Sequence, residues 1–143
     1  MEICVHGNSG RAQDLDAKAN PHGWGIDYDV AGLGSWLQYS IPINAGTKIK
    51  AIRIGFAKDG QHYKKGWIRH VHIYDGHNCI KKFDNLYLSK DSADKWTNHV
   101  LNFEKSIQIN QGIGVSILPE TYVTSGLKAI VNFEFYSVCA ILE

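Results

Sequence analysis

Apolar and polar residues alternate with a period of two most clearly in two segments of this 143-residue chain. In the segment 50–56, Ile52, Ile54 and Phe56 fall on one side of an extended strand. In the last apolar run, one side is formed by Ala129, Val131, Phe133, Phe135, Ser137 and Cys139, and the opposite side by Lys128, Asn132 and Glu134. A period of two with one polar side is typical of an antiparallel sheet that meets water on one face.

Glycines separate these runs at short intervals, and glycine suits tight turns. The pattern predicts about 8–9 strands, at 2–6, 26–30, 35–43, 47–57, 66–75, 78–83, 97–104, 111–118 and 126–142. This predicts an all-β protein with one domain over residues 1–143, an antiparallel β-sandwich of jelly-roll or immunoglobulin-like type. A closed barrel is the alternative. The last strand is long for an edge strand, so we expect it inside a sheet.

Two segments interrupt the strand pattern. Residues 88–96 predict at most one helical turn, with Ser89 or Asp91 as its N-cap. The segment from Asn20 to Gly25 contains Pro21 and two glycines, so it is expected to be a loop that leads into a strand.

Charge and composition exclude several classes. Fifteen Lys and Arg against fourteen Asp and Glu leave a net charge of +1, which argues against a nucleic-acid-binding protein that relies on bulk charge. No apolar stretch is long enough to span a membrane. The N-terminus lacks the charged and apolar regions of a signal peptide. The three widely spaced cysteines, Cys4, Cys79 and Cys139, predict free thiols in a reducing compartment, and therefore a cytoplasmic location.

Five short motifs follow one another along the chain: His6-Gly7-Asn8, Gly23-Trp24-Gly25, Gly34-Ser35-Trp36 leading to Ile41-Pro42-Ile43, Val71-His72-Ile73-Tyr74-Asp75-Gly76, and Gly112-Ile113-Gly114-Val115-Ser116. In this order they resemble a family of small all-β microbial proteins that open with an HGN motif and have no established activity. The resemblance spans most of the chain but not Arg11 to Asn20. It implies the all-β, one-domain fold and brings no catalytic residue with it.

The strand around 66–75 carries the strongest local feature. His70, His72 and Tyr74 point to one face of this strand, about 7 Å apart at each step of two. Two such imidazoles are candidate ligands for one metal ion, but a site needs further ligands. Asp75 or His77 would have to supply one, and Asp75 points to the opposite face of a regular strand. A solvated sheet face is favoured over a metal site as the explanation of the pair, and no cofactor is predicted.

Tryptophan is frequent, with four residues in the chain. Trp36 shares a strand face with Gln38 and Ser40. An indole beside an amide and a hydroxyl offers both stacking and hydrogen bonds to a sugar ring. Trp24 lies in the glycine-containing segment, where binding groups often gather. Core packing is the alternative for each tryptophan.

Together these features favour non-catalytic recognition of a small ligand, with carbohydrate first. The expected ligand-binding residues are Trp24, Trp36, Gln38, His70, His72, Tyr74 and Asp75. One alternative is a small cofactor-free enzyme, a cyclase, isomerase or lyase, in which His72 forms an acid–base pair with Asp75 or Asp27. Another is a structural or toxin-like interaction module that assembles through a sheet face into a homo-oligomer.

Overall fold

The computed structural model describes residues 1–60, 62–90 and 95–143, and these residues fold mainly as antiparallel strands. In chain order the strands are β1 (Glu2–His6), β2 (Arg11–Ala12), β3 (Lys18–His22), β4 (Gly25–Ala31), β5 (Leu37–Ile41), β6 (Lys48–Asp59), β7 (Gly66–Asp75), β8 (Asn78–Phe83), β9 (Thr97–Gln108), β10 (Ile113–Thr121), β11 (Val123–Thr124), β12 (Leu127–Lys128) and β13 (Ile130–Leu142).

Two sheets make up the sandwich. The front sheet has the order β2-β5-β10-β7-β8, and the back sheet has the order β3-β4-β13-β6-β9, with β1 also paired to β13. From β4 to β13 the chain crosses repeatedly between the two sheets, which is the jelly-roll arrangement and not the immunoglobulin one. Over the described residues both sheets stay open, so the fold is a sandwich and not a closed barrel. The last strand lies inside the back sheet, as its length predicts.

The core lies between the inner faces of the two sheets. Ile52, Ile54 and Phe56 on β6 are fully buried, as their alternation predicts. From the front sheet, Val71 and Ile73 on β7 complete the layer. Because these residues take the inward positions of β7, the intervening His70, His72 and Tyr74 point outward, where they are partly exposed.

A bulge at Tyr136 changes the face of the last strand. Phe135 pairs with Phe56 and Ser137 pairs with Gly55, so Tyr136 is an extra residue in β13. Up to Phe135 the inward positions are the predicted ones. Beyond the bulge, Val138 and Ala140 belong to the core instead of Ser137 and Cys139. The predicted single face is therefore wrong after Phe135, because one inserted residue reverses a period of two.

The prediction of three free thiols is wrong for two of the cysteines. Cys4 on β1 and Cys139 on β13 lie directly opposite each other and form a disulfide, although they are 135 positions apart in the sequence. The wide spacing predicts free thiols, but spacing says nothing about which strands become neighbours. Cys79 remains a free, exposed thiol.

The segment before β4 is more regular than expected. Lys18–His22 forms an edge strand of the back sheet, with Pro21 opposite Ile26. Proline is tolerated there because an edge strand has amide positions that need no partner. In the segment 88–96, Ser89 lies in a turn with φ of 62°, which is not a helical N-cap conformation. Asp91 lies outside the described residues. No helix within the described ranges is long and apolar enough to cross a membrane.

Candidate functional site

A groove runs over the outer face of the front sheet, and strand alternation puts polar side chains along it. On β5, Leu37, Tyr39 and Ile41 point into the core, so Gln38 and Ser40 point outward. The register then aligns outward residues across three strands. One row is Ser40, Gly114 and Tyr74, and the next is Gln38, Ser116 and His72.

The groove has a volume of about 380 Å³ and is lined by Gln13, Trp36, Gln38, Tyr39, Ser40, His72, Tyr74, Gly76, Gly114, Val115 and Ser116. These described lining residues include no Lys, Arg, Asp or Glu. A Cβ atom added at Gly114 would meet only the Cβ of Tyr74, at 3.6 Å. The missing side chain at Gly114 therefore leaves the floor of the groove open. Aromatic rings, amides and hydroxyls suit an uncharged ligand rich in hydroxyl groups.

Trp36 stands at one side of the groove, just before β5. Its backbone carbonyl accepts a hydrogen bond from the amide of Gln13, at 2.8 Å. The preceding Ser35 is held through its amide and carbonyl by the hydroxyl of the buried Tyr28. The indole ring lies 4.7 Å from the ring of His72 and 6.2 Å from that of His70, between centroids. These contacts fix the indole beside the groove and leave it part of the lining.

The two histidines are held by the loop that follows β8. His72 Nε2 lies 2.8 Å from Asp84 Oδ1, and this hydrogen bond lowers the pKa of the Asp84 carboxyl. His70 Nδ1 accepts a hydrogen bond from the amide of Asn85 at 3.0 Å and lies 3.2 Å from Asp84 Oδ1. Burial lowers the pKa of His70, which favours its neutral form. Sequence reasoning missed Asp84, because its pairing with His72 depends on the path of a loop.

Asp75 is not part of the groove, although the sequence suggests it as a ligand-binding residue. Its buried carboxylate accepts hydrogen bonds from the amides of Asn110, Gln111 and Gly112, at 3.0, 2.7 and 3.3 Å. The first two of these bonds, more than the third, lower the pKa of Asp75. It therefore ties the end of β7 to the loop before β10. Alternation along β7 explains this placement, since Asp75 and His72 point to opposite faces.

Trp24 is also remote from the groove, on the back sheet, where its ring lies parallel to that of His22, 5.1 Å away. The acid–base pairs suggested for an enzyme are not formed either. Asp27 lies on β4 of the back sheet, where it accepts a hydrogen bond from Asn132 and approaches His22 Nε2 to 3.5 Å. The structure therefore brings together Trp36, Gln38, His72 and Tyr74, with His70 beside them.

The metal hypothesis for His70 and His72 gains no third ligand. Within the described ranges, the one set of three Cys, His, Asp or Glu ligand atoms close enough to share an ion is Glu2, Cys4 and Cys139. Two of those residues are joined in the disulfide. Asp84 Oδ1 lies 3.2 Å from His70 Nδ1 and 2.8 Å from His72 Nε2, but this trio is not among the described sets whose ligand atoms are all close enough to one another to share an ion.

Several lining residues were not among the ligand-binding residues expected from the sequence. Ser116 and Gly114 occupy the outward positions of β10, and their alternation with the buried Val115 and Ile117 is visible in the sequence. Gln13 reaches the groove only because its amide bonds to the carbonyl of Trp36. The outward positions of Gly114 and Ser116 could be predicted from periodicity, whereas the position of Gln13 could not.

The chain matches no protein-family model and no curated protein sequence. Among solved structures it is similar to a low-affinity xylan-binding module, CBM86, from Roseburia intestinalis, with 13% identity, a TM-score of 0.61 and coverage of 100% of this chain and 96% of that one. It is also similar to the xylan-binding module CBM15, with 10% identity, a TM-score of 0.63 and coverage of 99% and 97%. A third similar structure is the CBM36-1 domain of a multidomain xylanase from the hindgut metagenome of Trinervitermes trinervoides, with 10% identity, a TM-score of 0.52 and coverage of 98% and 96%. At these identities the likeness shows the β-sandwich fold.

Proposed function

We propose that this chain is a non-catalytic carbohydrate-binding domain that holds a neutral polysaccharide in the front-sheet groove. The observation that carries the proposal is the lining of that groove, where Trp36 and Tyr74 accompany Gln38, Ser40 and Ser116 without a charged Lys, Arg, Asp or Glu among the described lining residues. Indole and phenol rings stack on the apolar faces of pyranoses, while amides and hydroxyls bond to their hydroxyl groups.

Xylan is the first polysaccharide to test. Two of the similar folds are named as xylan-binding modules, and both cover almost the whole of this chain. A xylose unit carries no charge, which matches the lining. The groove lies along an outer sheet face, and such a surface suits a chain molecule better than an enclosed cavity would.

The proposal also concerns location. A disulfide persists mainly in oxidising compartments, and Cys4 and Cys139 form one. We therefore propose that the chain functions in an oxidising compartment outside the cytoplasm, where it would encounter polysaccharides. The cytoplasmic location that the N-terminus and cysteine spacing predict remains the alternative. Mass analysis of the native protein with and without reductant would separate the two.

One observation favours a catalytic alternative. His72 and Asp84 form an imidazole–carboxylate pair at 2.8 Å beside the groove, an arrangement that general acid–base chemistry uses. A cofactor-free lyase or isomerase would need such a pair. Incubation with xylan followed by product analysis distinguishes the two functions, because a binding domain leaves the polysaccharide unchanged.

The experiment is isothermal titration with xylohexaose, with cellohexaose and laminarihexaose as parallel ligands. We expect Trp36→Ala to raise the Kd for the bound oligosaccharide by about tenfold, which corresponds to ~1.4 kcal/mol of lost stacking. Tyr63→Ala is the matched control, because Tyr63 is an aromatic residue outside the groove lining.

A second pair of variants tests the groove itself. Gly114→Leu fills the floor and should abolish binding, whereas Gly114→Ala adds one methyl group in ordinary contact with Tyr74 and should keep it. Both variants should melt close to the wild-type temperature. The proposal is overturned if the wild type binds none of the three oligosaccharides, or if Gly114→Leu binds as well as Gly114→Ala.

A further inference from the structure

The back sheet carries a second aromatic cluster, on the face of the sandwich opposite the groove. Trp24 and Trp96 are 42% and 53% exposed. Their rings stand nearly perpendicular, at 88°, with centroids 6.0 Å apart. Trp96 also lies 4.9 Å from the ring of Tyr136. Core packing does not account for these two indoles, since about half of each remains in water.

The backbone is shaped to present Tyr136 in this cluster. Tyr136 is the extra residue of the β13 bulge, and bulges re-aim side chains. A Cβ atom on Gly55 would lie 2.5 Å from Cε2 of Tyr136, so the ring occupies the space above that glycine. Gly55 alternates with the inward-facing Ile54 and Phe56, so this space is on the outer face of the sheet.

Two further glycines make room for the same bulge. A Cβ atom would come within 1.9 Å of the Phe135 carbonyl oxygen at Gly7 and within 2.2 Å at Gly25. Gly7 belongs to the HGN motif, and Gly25 follows Trp24 in the Gly-Trp-Gly motif. Two of the sequence motifs that the groove does not use therefore meet at the bulge that carries Tyr136.

Trp96 itself is held in an uncommon backbone conformation. Its φ is 50°, in the left-handed region that bulky residues rarely adopt. Such conformations persist where the surrounding structure over-determines them, and they cluster at binding sites. The indole of Trp96 stands at a right angle to that of Trp24, so the two rings form a corner with two aromatic walls.

Polar groups lie beside Trp24. Its neighbour His22 approaches the carboxylate of Asp27, and Glu134 pairs with Asp27 across β4 and β13. Glu134 is partly buried, and burial, followed by the charges of Asp59 and Asp27, raises its pKa. Carboxylate oxygens accept hydrogen bonds from sugar hydroxyls, and the same negative charges disfavour an acidic sugar.

We propose that Trp24, Trp96 and Tyr136 form a second carbohydrate site, which takes one pyranose unit of a neutral polysaccharide on the back sheet. This inference rests on the proposed function for the class of ligand, but it uses different residues on a different sheet. Two sites on opposite faces make the domain bivalent. A domain with sites on opposite faces is able to join two polysaccharide chains, one on each face.

The test follows the indole N–H signals of ¹⁵N-tryptophan-labelled protein during titration with xylohexaose. The four tryptophans give separate reporters: Trp36 for the groove, Trp24 and Trp96 for the second site, and the buried Trp67 as an internal control. The Trp36→Ala variant removes the indole signal that reports on the groove and lowers the affinity of the groove for xylohexaose. In that variant we expect the Trp24 and Trp96 signals to shift and saturate, while Trp67 stays in place.

Single substitutions then measure how much each tryptophan contributes to binding at the second site. With Trp36→Ala as the background, Trp24→Ala and Trp96→Ala should each raise the Kd of the remaining site by about tenfold. On insoluble xylan, Trp96→Ala alone should lower retention of the otherwise wild-type protein, because one of its two binding sites is lost.

The outcomes separate this inference from the groove. If the wild type shows a shift of Trp36 but none of Trp24 or Trp96, the second site is overturned and the proposed function stands. If only Trp24 and Trp96 shift, the second site stands and the groove is overturned. If no signal shifts, both fail. A concentration-dependent mass that Trp96→Ala abolishes, without any shift on titration, overturns the inference and assigns the surface to self-association.

Discussion

His72 Nε2 lies 2.8 Å from Asp84 Oδ1, and this hydrogen bond joins the wall of the groove to the loop after β8. The ring of His72 is therefore held from one side by a carboxylate and from the other by Trp36, 4.7 Å away between centroids. Because the imidazole uses Nε2 for Asp84, its Nδ1 is the nitrogen left for other partners. Asp84 thus acts on the groove by orienting His72, without itself lining it.

Asp84→Ala should loosen His72 and weaken carbohydrate binding. We expect the Kd for xylohexaose to rise by about threefold to tenfold, which is typical of one lost orienting hydrogen bond. Asp84→Asn keeps an acceptor oxygen and should restore most of the affinity. Nitrogen NMR of the imidazole gives a readout besides binding, because the wild type should show the proton on Nε2. Equal affinities for Asp84→Ala and wild type would remove Asp84 from the site.

Periodicity explains how much of the groove the sequence could predict. Alternation along β7 places His70, His72 and Tyr74 on one face and Asp75 on the other, and the structure has the same arrangement. Alternation also groups Trp36 with Gln38. Within one strand the spacing of residues determines which of them share a face, so these relations could be predicted from the sequence.

Relations between distant strands could not be predicted in this way. Trp24 and Trp36 lie on different sheets, because the chain passes from the back sheet to the front sheet between β4 and β5. Cys4 meets Cys139 because β1 pairs with β13, which no spacing rule indicates. The bulge at Tyr136 reverses the alternation of β13, and it depends on contacts with glycines of three other segments.

Removal of the disulfide should destabilise the fold. The bond between Cys4 and Cys139 spans a sequence separation of 135 residues, so it restricts the unfolded chain strongly. We expect the Cys4→Ser/Cys139→Ser variant to lose about 2–5 kcal/mol of unfolding free energy in urea. Cys79→Ser is the control, because Cys79 is a free, exposed thiol, and it should unfold like the wild type. An unchanged urea midpoint in the presence of reductant would contradict the prediction.

Asp75 should make the folding stability of the protein depend on pH in the acidic range. Hydrogen bonds from the amides of Asn110 and Gln111 hold the pKa of Asp75 below its ordinary value. A carboxyl with a lowered pKa in the folded state stabilises the protein above the unfolded pKa of about 3.9, and this contribution is lost as pH falls through the folded pKa. Asp75→Asn should therefore melt about 5 °C below the wild type at pH 7, and the gap should narrow as pH falls below about 4.

The control for this prediction is Asp16→Asn, which changes an exposed aspartate on the loop before β3. It should leave the melting temperature close to that of the wild type at both pH values. Thermal unfolding followed by circular dichroism measures all three proteins. A gap between Asp75→Asn and wild type that stays constant from pH 7 to pH 3 would show that the ionised carboxylate does not carry the effect.

Gly7 should tolerate no side chain, whereas Gly23 should accept one. A Cβ atom at Gly7 would lie 1.9 Å from the carbonyl oxygen of Phe135, and this oxygen belongs to a backbone that cannot move aside cheaply. Gly23 has nothing within 4 Å of the same position. We expect Gly7→Ala to lower the unfolding free energy by about 3 kcal/mol, in the range of overpacked positions, and Gly23→Ala to change it little. Urea unfolding of the two variants measures the difference. If both unfold at the wild-type midpoint, the glycine of the HGN motif is not required by the bulge, and the close approach of β1 to β13 does not constrain that position.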